Sequence, residues 1–349
     1  MSAKDIKLHA IQISSKDTDF FMNNQMKNQE EQQEKTIDVI IPTYHPDHKF
    51  DLLMKRLNRQ TVRPNHIIIL NTVPEASNTP QGRKEQEEYL RKYQEQYDAT
   101  IVHINQKEFD HGATRGYGAS LSEADFILFM TQDAIPADDS LIEEIQKPFA
   151  NPEVAAAYAR QLAHTNSDEI ETFTRNFSYP PVSRIKSKED MEELGIKTFF
   201  CSNVCACYRR KIYEELGGFV KHTIFNEDMI FASKVIDANL KIAYVAEAKV
   251  YHSHHYTYKQ QFTRNFDLAV SQKQYSEVFD RVKSESEGMK LVKMTAKYLI
   301  NRRSYFKLLD LFCLSGFKYM GYWFGKHYES LPKSMVVKCS MNKNYWKSL

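Results

Sequence analysis

The chain has 349 residues, of which 42% are hydrophobic, and this composition supports a sizeable core and excludes wholesale disorder. Its formal net charge is +2, so overall charge lends no support to a nucleic-acid-binding role. The five cysteines, three of them between residues 201 and 207, are an odd set that is typical of reduced cytoplasmic thiols and not of a secreted disulfide framework.

Residues 1–35 form a polar lead-in rich in glutamine and glutamate, a composition that favours a solvated helix or a disordered tail. From residue 36 the pattern changes to alternating strands and helices. Short apolar runs predict strands at 37–42, 66–70, 100–104 and 126–130, and the stretches 82–96 and 113–123 predict helices between them. Such alternation predicts an α/β fold with a doubly wound, largely parallel, Rossmann-like sheet, in which ligands bind beyond the carboxyl ends of the strands.

Two later regions differ in composition. Residues 164–188 are polar and predict a long substrate loop or mobile lid. From residue 289 to the end, twelve lysines and arginines are accompanied by only Asp310 and Glu329 and are interleaved with aromatic residues. This predicts a helical segment that docks on an anionic membrane surface, packs its aromatic face on the rest of the protein, or does both. The predicted organisation is a polar extension (1–35), an α/β domain (36–275) and a basic, aromatic C-terminal helical segment (276–349).

Four polar segments follow predicted strands or begin predicted helices, so they belong at one edge of the sheet. They are Pro42-Thr43-Tyr44, the HGATRGYG sequence at 111–118, Thr131-Gln132-Asp133, and the pair formed by NED at 226–228 and VYHSH at 250–254. Their order and spacing resemble the family 2 inverting glycosyltransferases of GT-A fold. The HGATR segment, and the TQDA segment that stands in place of the usual Asp-X-Asp, resemble the bacterial rhamnosyltransferase group of that family. The resemblance covers residues 37–267.

Asp133 follows an apolar strand and would be presented at the sheet edge, where a lone aspartate can also serve as a turn residue or helix cap. By resemblance it is the last residue of the Asp-X-Asp element, which holds Mg²⁺ or Mn²⁺ against a nucleoside diphosphate leaving group. Thr131 stands where the first Asp of that element is expected. The resemblance gives His252 as a further metal ligand, with His254 and His255 as competing candidates.

A structural zinc site is an alternative use of these histidines together with the three crowded cysteines. The cysteines are Cys201, Cys205 and Cys207, and their spacing lacks the usual C-x₂-C knuckle. The zinc alternative is therefore disfavoured.

An inverting transfer needs a base on the side of the sugar opposite the leaving group. Glu227 and Asp228 precede an apolar-periodic stretch and are therefore predicted at a helix start, where acids also stabilise the helix dipole. By resemblance to the Glu-Asp pair of the family, Asp228 is the base and Glu227 supports it.

Helix N-termini bind phosphate, so Arg115 and the glycines of 111–118 are predicted to serve the diphosphate. With the resemblance, the predicted donor-binding residues are Pro42, Thr43, Tyr44, Asn71, His111, Arg115, Gln132 and Asp133. Asn71 stands where most relatives have an Asp that holds the base or ribose. The same glycine spacing occurs in short-chain dehydrogenases, but there it follows the first strand, and no Tyr-x-x-x-Lys pair stands out here.

Two further segments resemble acceptor-side elements of the family. They give Cys201, Ser202, Asn203, Gly218 and Phe219 as acceptor-side residues. Glycine permits close approach of the backbone to the sugar. Cys201 is expected to be a packed thiol, because inversion needs no covalent intermediate.

These residues and the resemblance predict an inverting glycosyltransferase that moves L-rhamnose from dTDP-L-rhamnose onto a hydroxyl of a lipid-linked glycan in cell-surface polysaccharide synthesis. The alternatives are the same fold with a UDP-hexose donor and a catalytically silent glycan- or membrane-binding module. No nucleic-acid partner is predicted, and self-association into an oligomer is compatible with the sequence. Because the N-terminus lacks a signal pattern and no run approaches about 18 apolar residues, the expected location is the cytoplasm, peripherally on the inner face of the plasma membrane.

Overall fold

Four parallel strands in the N-terminal half form the first part of a mixed sheet. The computed structural model describes residues 35–281 and 285–347, so the extension predicted at 1–35 lies outside the described residues except for Lys35. The strands pair in the order β3-β2-β1-β4 and are β1 (Ile37–Thr43), β2 (His66–Val73), β3 (Thr100–Asn105) and β4 (Phe126–Met130). The helices between them are α1 (His48–Leu57), α2 (Pro80–Tyr97) and α3 (His111–Ser120). The predicted strands and helices of this region are confirmed, with small differences at their ends.

The second half extends the sheet beyond β4 with both parallel and antiparallel pairs. Its strands are β5 (Ile135–Pro136), β6 (Val154–Leu162), β7 (Arg184–Lys186), β8 (Cys205–Arg209) and β9 (Lys241–Tyr251). β8 runs antiparallel to β4 and β6, β9 runs parallel to β6, and β5 and β7 pair with β9. The helices here are α4 (Leu141–Gln146), α5 (Glu169–Ser178), α6 (Met191–Leu194), α7 (Arg210–Glu215) and α8 (Glu227–Asp237).

Apolar side chains alternate between the two faces of the sheet, and each face has its own core. In β1, Val39 and Ile41 belong to one core and Ile40 to the other, and Leu128 and Phe129 of β4 divide in the same way. The strands are therefore buried on both faces, as a doubly wound sheet requires. The chain winds outward from β1 to β3 and then returns to β4, so the winding reverses between β1 and β4. This reversal opens a crevice at the carboxyl ends of those two strands.

The segment 164–188, predicted as a long substrate loop or mobile lid, is not loop throughout, because it contains α5 and β7. Asp168 caps α5 by accepting a hydrogen bond from the backbone N–H of Glu171. Ile170 of the helix is buried against Leu299 and Leu311 of the C-terminal helices. The polar composition reflects the exposed face of a short amphipathic helix whose apolar face has a distant partner.

The C-terminal region is helical and packs on the rest of the protein. Its helices are α9 (Tyr258–Gln274), α10 (Ser276–Phe279), α11 (Glu285–Asn301), α12 (Tyr305–Lys326) and α13 (Lys333–Cys339). α12 crosses α9 at Gly321 and Gly325, where an added Cβ would lie 2.2 Å from the carbonyl oxygen of Phe262 and 2.3 Å from that of Phe266. Residues from Thr36 onward form one structural unit. Among the described residues, no helix is both long enough and apolar enough to cross a bilayer.

Candidate active site

The crevice between β1 and β4 is spanned by a pair of residues that follow these strands. The side-chain amide of Gln132 accepts a hydrogen bond from Tyr44 N at 2.8 Å and donates one to Tyr44 O at 3.0 Å. Gln132 therefore fixes the backbone at the end of β1, and the half-exposed Tyr44 side chain accepts a hydrogen bond from Gln106 Nε2 at its hydroxyl. The sequence predicted both residues at the donor site, and the structure brings them together.

Asp133, His252 and His254 could together hold a metal ion. Among the described residues, this is the one group of three or more His, Cys, Asp or Glu side chains with suitable spacing. The Nε2 atoms of His252 and His254 are 3.0 Å apart and lie 3.6 Å and 3.4 Å from carboxylate oxygens of Asp133. A divalent ion about 2.1 Å from each ligand holds neighbouring ligand atoms about 3 Å apart, so the group has a suitable spacing. His255, the third candidate from the sequence, is exposed and lies outside the group.

The imidazole of His252 is oriented by a hydrogen-bond chain behind it. Its Nδ1 lies 3.1 Å from Gln161 Oε1, which is only an acceptor, so Nδ1 carries the proton and Nε2 offers its lone pair to the group. Arg175 donates to the same Gln161 oxygen and is itself held by Glu171. Burial and the neighbouring His254 keep the pKa of His252 well below its usual value. Neutral imidazoles and one carboxylate are a donor set that fits a divalent metal.

Glu227 and Asp228, the acidic residues predicted as catalytic, begin α8, as expected. Asn226 adopts a left-handed conformation (φ 64°) and directs the chain into the helix. Glu227 is buried and lies 3.1 Å from Arg115 Nη1. Asn203 holds both acids, because its side chain donates to Glu227 Oε1 and its backbone N–H donates to Asp228 Oδ2. Asp228 is the partly exposed member of the pair and can meet a substrate.

The two adjacent carboxyl groups have different proton affinities. Burial alone would raise the pKa of Glu227, but Arg115 and His111 lower it overall. Burial and the neighbouring Glu227 raise the pKa of Asp228 to about 7, against the opposing effect of the N–H groups of Asn203 and Met229. Two neighbouring carboxyl groups whose pKa values are shifted in opposite directions are typical of acid–base sites.

The N-terminus of α3, which the sequence predicted to bind phosphate together with its glycines, already has a protein partner. Asp110 already caps this helix, with its Oδ1 accepting from the backbone N–H groups of Gly112 and Ala113. Gly112 packs against backbone, since an added Cβ would lie 1.9 Å from Val220 O. An added Cβ at Gly118 would lie 2.6 Å from a side-chain carbon of Ile40, so Gly112 and Gly118 both serve close packing.

Arg115 follows these glycines and also has protein partners. Its guanidinium contacts the carbonyl of His111 and the carboxylate of Glu227, and only 6% of the residue is exposed. Arg115 thus contacts the acid pair through Glu227 and does not line the cavity at the strand ends.

A cavity of about 290 Å³ lies beyond the carboxyl ends of β1, β2 and β3. Its lining consists of Tyr44, Thr72, Gln106, Phe109, His111, Ile224, Phe225, Arg264, Asp267, Met341, Asn342 and Asn344. Of the predicted donor-binding residues, Tyr44 and His111 line it. The sequence did not predict the other lining residues. Thr72 and Gln106 could have been predicted, because they lie at the carboxyl ends of β2 and β3, where ligands bind in such sheets.

Asn71 does not line the cavity. It is fully buried, and its amide contacts Thr43 Oγ1, Gln86 Oε1 and His103 Nδ1. Pro42 and Thr43 belong to β1 itself, with Thr43 buried. Thr72, the residue after Asn71, does line the cavity, and its Oγ1 is buried without a hydrogen-bond partner among the described residues.

Arg264 of α9 places a positive charge between the cavity and the Asp/His/His group. Its guanidinium lies 4.7 Å from the centre of the Phe225 ring and 5.6 Å from that of Tyr256. Tyr256 in turn stacks on His254, with ring centres 5.0 Å apart. A cation in this position suits a ligand with phosphate groups. No local sequence signal marks Arg264, because only folding brings α9 to the sheet edge.

The predicted acceptor-side residues divide between the core and the site. Cys201 and Phe219 are buried, and Phe219 packs against the rings of Tyr208 and Tyr213, so neither can contact an acceptor. Gly218 has a positive φ and reverses the chain after α7. Ser202 and Asn203 do lie at the site, bonded to Gln161 and to the acid pair.

The cysteines take no part in a metal site within the described residues. Cys201 is a packed thiol, as expected, and burial raises its pKa to about 12. Cys205 and Cys207 point into the core on the opposite face of the sheet. The zinc alternative therefore finds no support in the structure.

A doubly wound sheet with a candidate metal group at the crevice and an acid pair at a helix start is the arrangement of a glycosyltransferase of GT-A fold. Residues 38–217 match the family model for Glycosyl transferase family 2. The chain is 38% identical over 324 residues to the O-antigen chain rhamnosyltransferase RfbN of Salmonella typhimurium, covering 90% of this chain and 96% of that protein. It is also 38% identical to the O-antigen chain rhamnosyltransferase WbaN of Salmonella anatum, covering 89% and 96%.

Mannosyltransferase PcManGT of Pyrobaculum calidifontis, solved in complex with GDP-Man and Mn²⁺, has a similar fold. Its TM-score is 0.53 at 12% identity, covering 88% of this chain and 93% of that chain. The protein therefore belongs to glycosyl transferase family 2. The predicted GT-A fold and glycosyltransferase activity are confirmed.

Proposed function

We propose that this glycosyltransferase transfers L-rhamnose from dTDP-L-rhamnose to a hydroxyl of a lipid-linked glycan in the synthesis of a cell-surface polysaccharide. The observation that carries the proposal is the 38% identity to two O-antigen chain rhamnosyltransferases along about nine-tenths of the chain. A UDP-hexose donor would need the same fold but has no comparable support.

Asp228 acts as the base in this proposal. Its carboxylate takes the proton of the acceptor hydroxyl while the hydroxyl oxygen attacks the anomeric carbon. The bond from that carbon to the phosphate oxygen breaks, its electron pair leaves with the nucleoside diphosphate, and the configuration inverts. A pKa of about 7 allows Asp228 to be ionised yet basic near neutral pH. Asn203 keeps the carboxylate in position through its backbone N–H.

Asp133, His252 and His254 would hold the divalent ion, and two imidazole ligands favour Mn²⁺ over Mg²⁺. When bound, such an ion neutralises charge that develops on the diphosphate leaving group. Arg264, which borders the cavity and lies near this group, adds a second positive charge at the diphosphate.

Donor hydrolysis and transfer with a panel of nucleotide sugars test the proposal. The panel contains dTDP-L-rhamnose, UDP-glucose, UDP-galactose and GDP-mannose, each with and without Mn²⁺. We expect turnover with dTDP-L-rhamnose that depends on Mn²⁺. Preference for a UDP-hexose would overturn the donor assignment, and glycan binding without turnover of any donor would support the silent-module alternative.

The base assignment is tested by Asp228→Asn, which keeps the shape of the side chain but cannot accept a proton. We expect turnover to fall by at least about a hundredfold, with dTDP affinity unchanged. Asp237→Asn at the other end of α8 is the control, because Asp237 pairs with Arg281 on the surface. Near-normal turnover of Asp228→Asn would assign the base elsewhere.

An exposed apolar stripe on α12 supports peripheral binding to the cytoplasmic face of an anionic membrane, where a lipid-linked acceptor would be found. Phe306, Leu309, Phe312, Tyr319 and Trp323 follow helical spacing, and Phe306 is 94% exposed. Arg302 and Arg303 directly precede the helix, and twelve cationic residues lie between residue 289 and the end. The opposite face of α12 packs on α9, so packing and membrane docking can occur together.

Vesicle flotation tests this surface. We expect binding to phosphatidylglycerol-containing vesicles and weak binding to phosphatidylcholine alone, with Phe306→Ser/Phe312→Ser abolishing flotation. Val182→Ser removes a similarly exposed apolar side chain outside the stripe and serves as the control. Unchanged flotation of the double variant would show that the stripe is not the docking surface.

A further inference from the structure

One wall of the cavity is formed by residues far from the sheet in sequence. The strand ends supply Tyr44, Thr72 and Gln106, while Asn342 and Asn344 approach from the end of the chain. These asparagines lie after α13 in a segment that carries no motif of the family resemblance. The segment 340–344 therefore lines the cavity. To bind a ligand, its backbone must also be held in place by contacts with the rest of the protein.

A buried carboxylate fixes the segment to α9. Asp267, only 3% exposed, accepts hydrogen bonds at Oδ2 from the backbone N–H groups of Met341 and Asn342, at 2.9 Å and 3.0 Å. Hydrogen bonds to a charged acceptor are stronger than neutral ones. The segment is thus anchored at the same helix that presents Arg264 to the cavity.

An aromatic cluster holds the chain directly after the segment. Tyr345 is buried, stacks on His222 with ring centres 4.9 Å apart, and donates its hydroxyl proton to Gln274 Oε1. It packs with Phe266 and Val270 of α9 in one apolar core. With Asp267 before it and Tyr345 after it, the wall made by 340–344 is preformed, and a preformed wall needs little ordering when a ligand binds.

The polar groups that meet in the cavity match a nucleoside. Thr72 at the end of β2 lines the cavity together with Asn342 and Asn344. The Oδ1 atom of Asn342 accepts from Tyr345 N at 3.3 Å, which orients its amide and leaves the amino group as the donor for a ligand. An amide can pair with the carbonyl and N–H edge of a pyrimidine base or with ribose hydroxyls. A volume of about 290 Å³ suits a nucleoside better than a whole nucleotide sugar.

We propose that the segment 340–344 is part of the donor site, with the side-chain amides of Asn342 and Asn344 contacting the nucleoside of a nucleoside diphosphate. The inference rests on the proposed function, because it assumes that a nucleotide donor occupies this cavity. It gives the C-terminal region a role in donor specificity that is separate from membrane docking, since the exposed stripe lies on α12 and these asparagines lie beyond α13.

The test measures dTDP binding by titration calorimetry with Mn²⁺ and without acceptor. We expect Asn342→Ala/Asn344→Ala to raise the Kd for dTDP by about tenfold and to raise the KM for the donor while kcat stays within about twofold. Asn301→Ala, the same exchange at the exposed end of α11, is the control and should bind as the unaltered protein does. Unchanged dTDP affinity of the double variant would overturn the inference.

A second measurement uses the unaltered protein, so it does not depend on the variant folding. Hydrogen exchange of the backbone amides at 341–345 should slow when dTDP is added, and absence of this protection would count against the inference. The panel of dTDP, UDP and GDP separates the two proposals. If the double variant binds dTDP as tightly as the unaltered protein, only the inference is overturned. If the unaltered protein binds UDP or GDP selectively and the double variant loses that binding, only the assignment of dTDP as donor nucleotide is overturned. Binding of none of the three overturns both.

Discussion

The carboxylate of Glu227 lies beside that of Asp228 in the first turn of α8, and the two have pKa values shifted in opposite directions. The pKa of Glu227 is lowered because Arg115 and His111 outweigh the effect of burial. The pKa of Asp228 is raised to about 7 by burial and by the charge of Glu227. The ionised Glu227 therefore makes its neighbour a better base, which is a supporting role that follows from charge alone.

The pH dependence of transfer should show this relationship. Asp228 must be ionised to accept a proton, so kcat/KM should fall on the acid side of pH 7, by about tenfold per unit well below that pKa. Glu227→Gln removes the neighbouring charge, lowers the pKa of Asp228 and should move the acid limb to lower pH. Glu193→Gln, at a surface pair with Arg184, is the control. An acid limb that stays in place in Glu227→Gln would contradict the assigned coupling.

The metal group distinguishes two neighbouring histidines. His254→Ala should weaken Mn²⁺ binding by at least about tenfold, since one of three protein ligands is lost, and should abolish the Mn²⁺-dependent gain in dTDP affinity. His255→Ala should bind Mn²⁺ as before, because His255 is exposed and outside the group. Calorimetric titration of Mn²⁺ in the presence of dTDP provides the measurement. Equal losses in the two variants would show that the group is misassigned.

Gln161 should support metal binding without touching the metal. Gln161→Leu keeps the volume but removes the oxygen that fixes the proton on His252 Nδ1, so we expect a loss of about 10- to 100-fold in Mn²⁺ affinity. Gln81→Leu on the exposed surface of α2 is the matched exchange and should have no effect. If Gln161→Leu binds Mn²⁺ normally, His252 is oriented by other contacts.

The sequence predicted the parallel half of the sheet because its strands are short apolar runs with helices between them. It failed at α5, whose apolar face is small and needs Leu299 and Leu311, more than 100 residues away, to become a core. The capping pattern of Asp168 followed by Glu171 was the available signal for that helix. Local pattern thus predicted the elements that carry their own hydrophobic periodicity.

The site divided along the same line. Asp133 and His252 follow strands and Asp228 begins a helix, so their segments could be placed at one edge of the sheet from the sequence. Arg264 and Asn344 were missed because their position depends on how α9 and the end of the chain pack. The glycines of 111–118 are ambiguous in sequence, because close packing, as of Gly112 against Val220, and phosphate binding require the same residue type.

Two glycines of α12 provide a matched test of the packing that brings α9 to the cavity. An added Cβ at Gly321 would lie 2.2 Å from Phe262 O, so Gly321→Ala must push α12 away from α9 and should destabilise the protein by about 1–3 kcal/mol. At the exposed Gly316 an added Cβ meets nothing within 4 Å, so Gly316→Ala should stabilise the helix by about 0.5–1 kcal/mol. Urea unfolding followed by circular dichroism measures both changes. Because α9 carries Arg264 and Asp267, Gly321→Ala should also weaken dTDP binding, and a variant with normal stability and normal affinity would show that the close crossing of α9 and α12 does not position the donor site.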